Sequence, residues 1–275
     1  MRIRVEHRTV YRYQPAAKSV LQVLRLTPRS HEGQNVVRWR VFAEADGEVQ
    51  LRRGEDAFGN ITQTAFVQGP VSELTLSVEG EVNTWDTQGV ARGTLERFPP
   101  MAFLRGSPLT DPSPELEAFA DGAGAGSDDV ARLHRLMLAI NAEIVFDPEP
   151  THAATTAAEA FVLKRGVCQD FSHIFIAAAR HLGFPARYVS GHLGREGEQV
   201  QQNAGHAWAE AYVADLGWVG FDCANGLSPT AEYVRVAVGL DYLGAAPVRG
   251  SRSGGGAEIM DVTLRVSHAA LQSQA

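Results

Sequence analysis

The sequence predicts an α+β protein, and three observations carry that prediction. From the N-terminus to Trp85 the apolar residues alternate with polar ones at the strand period of two. Between Asp128 and Leu182 they recur at helical spacing, and beyond Pro185 short alternating runs return. Strands first, then helices, then strands again is an α+β order, not the regular alternation of a parallel βαβ fold.

The opening segment "RIRVEHRTVYRY" places Ile3, Val5, His7, Thr9, Tyr11 and Tyr13 on one face and mostly Arg and Glu on the other. "VVRWRVFAEA", "NITQTAFVQ" and "ELTLSVEGEV" continue the enrichment in β-branched and aromatic residues, punctuated by the turn signals "EADGE" and "DAFGN". Residues 1–100 are therefore expected to form a β-sandwich-like module, and 101–275 a second unit after the Pro-rich "RFPPMAFLRGSPLTDPSP".

In that second unit, Val130, Leu133, Met137, Ile140 and Ile144 mark a helix capped by Ser127 or Asp128. Thr156 and Glu159 are spaced as a capping box for the next helix, which Gly166 is expected to end. A third helix starts at Cys168, with Phe171, Ile174, Phe175, Ala178 and Leu182 as its buried face, and stops at Gly183 and Pro185. Strands follow in "ARYVSGH", "HAWAEAYV" and "GWVGFD". "APVRGSRSGGGAE" reads as a loop before a last strand, "IMDVTLRVS".

Bulk properties narrow the function. A hydrophobic fraction of 44% with 21% charged residues is ordinary globular composition. A formal net charge of -7 argues against general affinity for nucleic acid or acidic membranes. Two cysteines cannot build a disulfide framework for a chain this long. The N-terminal "MRIRVEHRTVYRYQP" lacks the apolar core of a signal peptide, and no run approaches the roughly 20 apolar residues of a membrane helix. A cytoplasmic protein is expected; the sequence is silent on its oligomeric state.

A scarce thiol at a helix start admits four readings: apolar filler, metal ligand, half of a disulfide, or nucleophile. His206 and Asp222 follow Cys168 in order. An imidazole takes the proton of a neighbouring thiol to form a reactive ion pair, and a carboxylate on the far ring nitrogen orients the imidazole. The helix N-terminus adds partial positive charge and a backbone N–H suited to an oxyanion. Along "HAWAEAYV", His206, Trp208, Glu210 and Tyr212 share a face. If Ala214–Leu216 is a three-residue hairpin loop, Val213 pairs with Gly217 and Asp222 falls opposite Trp208. It is then diagonal to His206, at about 7–8 Å. An even loop without a bulge sends Asp222 to the wrong face. Zinc is the rival reading, with Cys168, Cys223, His206 and His173 as donors, but no C-x-x-C or H-x-x-x-H pair joins them. No metal or cofactor is expected. Trp208 either walls the substrate cleft or packs in the core. Asp170 is expected to support the first turn of the cysteine helix.

The blocks "RGVCQDFSHIFIAAARHLGFPARYVSGH", "GHAWAEAYV" and "GWVGFDCANG" resemble the three catalytic blocks of the transglutaminase-like superfamily in its bacterial branch. The N-terminal region with its "EDAFGN" resembles the β module that precedes the core there. The resemblance implies a papain-like core, a cysteine helix packed on an antiparallel sheet, with Cys168 as nucleophile, His206 as base and Asp222 as orienting acid. It departs from the branch at Cys223, where proline often follows the aspartate. It implies a thiol enzyme acting on an amide bond of a protein, peptide or small-amide substrate. The resemblance permits both hydrolysis and transfer to an amine. Hydrolysis is favoured here by small residues around the triad (Gly205, Ala207, Gly217, Gly220) and by the polar run "GREGEQVQQNAGH". A binding module with a vestigial site is the alternative; retention of all three polar residues favours the enzyme.

Overall fold

The structure, a computed structural model, describes residues 1–194, 201–202 and 205–268. Its first sheet is organised by two long strands. β1 (Arg2–Thr27) is followed by β2 (Gln34–Ala45), β3 (Val49–Glu55) and the second long strand, β4 (Ile61–Thr84). β1 and β4 pair antiparallel from Arg2↔Asn83 to Thr27↔Ile61, with register shifts between Arg12 and Ser19 that divide the ladder into two halves. β2 borders one half of β4 and β3 borders the other. A single apolar cluster joins the halves, with Tyr11, Tyr13, Val20 and Leu24 from β1 and Val67 and Leu74 from β4. The alternation read from "RIRVEHRTVYRY" is the alternation found: Ile3, Val5, His7, Thr9, Tyr11 and Tyr13 are all buried.

A short β5 (Val90–Ala91) leads into the helices α1 (Pro114–Ala123) and α2 (Asp129–Glu143). β6 (Val145–Phe146), α3 (Ala157–Leu163), β7 (Arg165–Gly166) and α4 (Cys168–His181) follow. The capping box of Thr156 and Glu159 forms as spaced, and Asp128 caps α2 by accepting from Ala131 N–H at 2.7 Å. Gly166 does not end α3. That helix stops at Leu163, and Lys164 takes the left-handed conformation at φ 55°. α4 is buried on every side from Asp170 to Arg180, not along one face alone, because α1, α2 and α3 cover the side turned away from the sheet. Arg180 is tolerated there because its guanidinium donates to the carbonyls of Phe103, Ala186 and Leu240 and to Thr110 Oγ1.

The second sheet is antiparallel, in the order β12-β8-β10-β11-β5. It is built from β8 (Ala186–Leu193), β10 (His206–Val213), β11 (Gly217–Phe221) and β12 (Tyr233–Gly239); the two-residue β9 (Gln201–Gln202) lies instead on the first sheet. Ala207, Ala209 and Ala211 of β10 meet Ala177, Ala178 and Ala179 of α4 in one core cluster. Small side chains on both surfaces let the helix lie close against the sheet. After α5 (Tyr242–Ala245), the segment read as a loop before the last strand instead forms a strand, β13 (Val248–Gly254), ahead of β14 (Ala257–His268). Both strands pair with β1, one on each half. β12 was not singled out by its sequence.

The chain thus crosses the boundary expected near residue 100 in both directions. β5 joins the second sheet, while β13 and β14 return to the first. Ile3, Val5, Leu264 and Val266 share a core cluster with Ile174 and Phe175 of α4. Among the described residues, no helix is long and apolar enough to cross a membrane.

Candidate active site

Cys168 opens α4, and Asp170 sets where that helix begins. Its Oδ2 accepts from Val167 N–H at 2.8 Å and from Thr151 Oγ1 at 2.7 Å. Burial pushes the Asp170 pKa up against the pull of these hydrogen bonds. Gly166 is the reason the carboxylate fits, since a Cβ there would lie 2.5 Å from Asp170 Oδ2 and 2.7 Å from its Cβ. Cys168 itself is half-buried. Its backbone N–H, at the first helical position, has no acceptor within the helix and sits at the positive end of the helix dipole.

His206 opens β10, paired with Gly191 of β8. The hairpin to β11 has the three-residue loop Ala214–Leu216, with Val213 opposite Gly217 and Ala209 opposite Phe221. That odd loop is the parity the triad requires. His206 Nε2 lies 2.5 Å from Asp222 Oδ2, which leaves Nδ1 as the ring nitrogen for Cys168. Burial of His206 opposes a charged ring. Hydrogen bonds with Asp222 and Cys168 outweigh it and raise the imidazole pKa to about 10. Burial likewise opposes the Asp222 carboxylate, yet His206, Asn225 and Tyr233 hold its pKa below the ordinary value.

Two of those partners went unread in the sequence. Tyr233 Oη donates to Asp222 Oδ2 at 2.7 Å. Asn225 donates its backbone N–H to Oδ1 at 3.2 Å and its Nδ2–H to Oδ2 at 2.7 Å. The Asp-x-x-Asn spacing in "DCANG" was the available signal for Asn225, as a local turn around a carboxylate. Tyr233 had none, because it arrives from β12.

Of the two readings of Trp208, the structure places it in the core. It is 2% exposed, packed with Val189 and Val238, stacked behind His206 with ring centres 6.2 Å apart, and edge-on to Tyr233 at 5.3 Å. It does not line the Cys168 cleft, so its expected role as a substrate wall is replaced by support of the His206 ring. Trp218 is also buried, beneath the Arg187 guanidinium at 3.8 Å.

Cys223 is buried, and burial, then Asp222, pushes its thiol pKa well above the ordinary value. Both cysteines are free. Of the other zinc donors considered, His173 is buried inside α4, where its Nε2 accepts from Tyr242 N–H at 3.0 Å. Among the described residues no cluster of three or more His, Cys, Asp or Glu could hold a metal ion.

A buried ionic network secures the strand that carries His206. Glu210 of β10 bridges Arg187 of β8 and Arg235 of β12, at 2.7 Å to each. Burial opposes its charge, but the two guanidinium groups outweigh it and lower its pKa to about 2. On the opposite side, Cys168 and His206 open into a cavity of about 270 Å³, which Gly205 and Ala207 also line. Most of the polar run before His206, residues 195–200 and 203–204, lies outside the described residues.

A thiol at a helix start, an imidazole and a carboxylate on adjacent strands, and a helix packed on an antiparallel sheet define the transglutaminase-like class of fold. The sequence comparisons agree. The transglutaminase-like superfamily profile matches residues 117–223, and that of the bacterial transglutaminase-like N-terminal region matches 3–83. The uncharacterized protein ML0607 of Mycobacterium leprae is 31% identical, over 98% of this chain and 99% of its own. Rv2569c of Mycobacterium tuberculosis, also uncharacterized, is 29% identical over 90% of this chain and 87% of its own. Among solved structures, one from Cytophaga hutchinsonii, provisionally described as a cysteine protease, superposes with a TM-score of 0.75 at 18% identity, covering 97% of each chain. The chain belongs to the transglutaminase-like superfamily.

Proposed function

We propose that the protein is a thiol enzyme that opens an amide, peptide or isopeptide bond through a thioester on Cys168. The observation that supports this most is His206 bonded to Asp222 on one side and Cys168 on the other, with its pKa raised to about 10. The Cys168 sulfur, its proton passed to His206, attacks the carbonyl carbon. The oxyanion is met by the Cys168 N–H. The C–N bond breaks as the imidazolium returns the proton to the leaving nitrogen. Water, deprotonated by His206, then adds to the thioester, and the acid leaves as the thiol is restored.

Hydrolysis is the favoured outcome because the half-buried sulfur opens on solvent, where water far exceeds any amine in concentration. The apolar walls of the cleft give amine transfer its own support and make it the second reading. The substrate is then a protein, peptide or small amide, with no role for nucleic acid, membrane, metal or cofactor. Two unpaired thiols agree with a reducing cytoplasm.

Partitioning tests the assignment. With an activated acyl donor and a millimolar primary amine, the hydrolysed acid should exceed the amide product, and Cys168→Ala should form neither. Excess amide makes the protein a transamidase, and turnover that survives Cys168→Ala removes the thiol from the mechanism.

A further inference from the structure

The wall facing Cys168 across the cleft comes from the first sheet. β1 supplies His7, Thr9 and Tyr11, and β14 supplies Met260 and Val262. Tyr11 pairs with Met260 and Thr9 with Val262 along the β1–β14 ladder, so these four side chains stand on one surface. One strand that precedes the second sheet in sequence and one that follows it therefore wall the cleft together.

The chemistry of that cleft is one-sided. Among the described residues, no Asp, Glu, Lys or Arg lines it. His7 is uncharged at neutral pH, because burial lowers its pKa to about 4. Burial pushes the phenols of Tyr11 and Tyr188 up, so both are neutral as well. Apart from His206, whose charge is already paired with Asp222 and Cys168, no charged side chain among the described residues lines the cleft, so a charged substrate group loses its hydration there and meets no free opposite charge. The volume of about 270 Å³ is just below the 300–1,000 Å³ range of pockets for drug-sized ligands and suits a single large side chain.

We infer that the cleft selects an uncharged, apolar group, aromatic or branched aliphatic, on the acyl side of the scissile amide, and that Tyr11, Met260 and Val262 of the first sheet set this preference. The acyl assignment rests on the thiol-enzyme reading; the preference for an apolar group does not, because it can be measured as binding without turnover.

Calorimetry on the Cys168→Ala protein, with N-acetyl-phenylalaninamide, N-acetyl-lysinamide and N-acetyl-aspartamide as probes, separates the two. The phenylalanine probe should bind at least about tenfold more tightly than either charged probe. Met260 is 56% exposed at the rim, so Met260→Glu leaves the fold intact. In the same background it should weaken the phenylalanine probe several-fold and strengthen the lysine probe. Equal binding of the three probes, no binding of the phenylalanine probe, or affinities unmoved by Met260→Glu would each overturn the inference. Failure of the wild-type protein to turn over any amide, with the binding order intact, would instead count against the thiol chemistry alone.

Discussion

At His206 two effects oppose each other: burial disfavours the imidazolium, while Asp222 and Cys168 favour it, and the pair of partners prevails. The consequence for stability has a definite sign. The folded pKa, about 10, lies above the ordinary 6.5, so the folded state holds the proton more tightly than the unfolded one. The contribution is complete below 6.5 and is lost as pH rises through about 10. Asp222→Asn removes the main partner, so the variant should lose less stability than the wild type across that window in urea unfolding. Equal pH slopes would mean that the pair does not hold the charge. Cys168, His206 and Asp222 were legible because chemistry names the residue types and hairpin parity decides their faces. Asn225 and Tyr233 were not, because an acceptor's partners depend on what the fold brings near it, and Tyr233 comes from a strand outside the hairpin.

Among the elements, α4 matters most, because its first residue is the proposed nucleophile. Its start depends on Asp170 reaching back to Val167, and that reach depends on the missing side chain of Gly166. Gly166→Ala should overpack this turn, destabilise the fold by about 1–3 kcal/mol, and lower kcat as Cys168 shifts. Urea unfolding alongside turnover measures both; an unchanged protein would show that the turn has room to relax. α4, β8, β10 and β11 were legible from periodicity and stop signals. β13 was not, because its Gly and Ser residues read as loop, and only pairing with β1 makes them a strand. Gly250 shows why the composition is needed: a Cβ there would lie 2.0 Å from the Leu21 carbonyl oxygen.

For the molecule as a whole, the decisive feature is that the last strands return to the first sheet and bring it against the catalytic core. Such a return joins the two ends of the chain, and no local pattern in either segment announces it. The same architecture gives the two thiols opposite fates: Cys168 opens on the cleft between the sheets, while Cys223 is sealed in the core with its thiol pKa raised by burial. The proposed chemistry requires that the first thiol alone be an acyl acceptor. Its most direct test is rapid quenching of the protein with 4-nitrophenyl acetate, followed by intact-mass and peptide analysis. A single acetyl group is expected on the peptide containing Cys168, absent in Cys168→Ala and strongly slowed in His206→Ala. Acetylation at Cys223, or at Cys168 with a rate indifferent to His206, would contradict it.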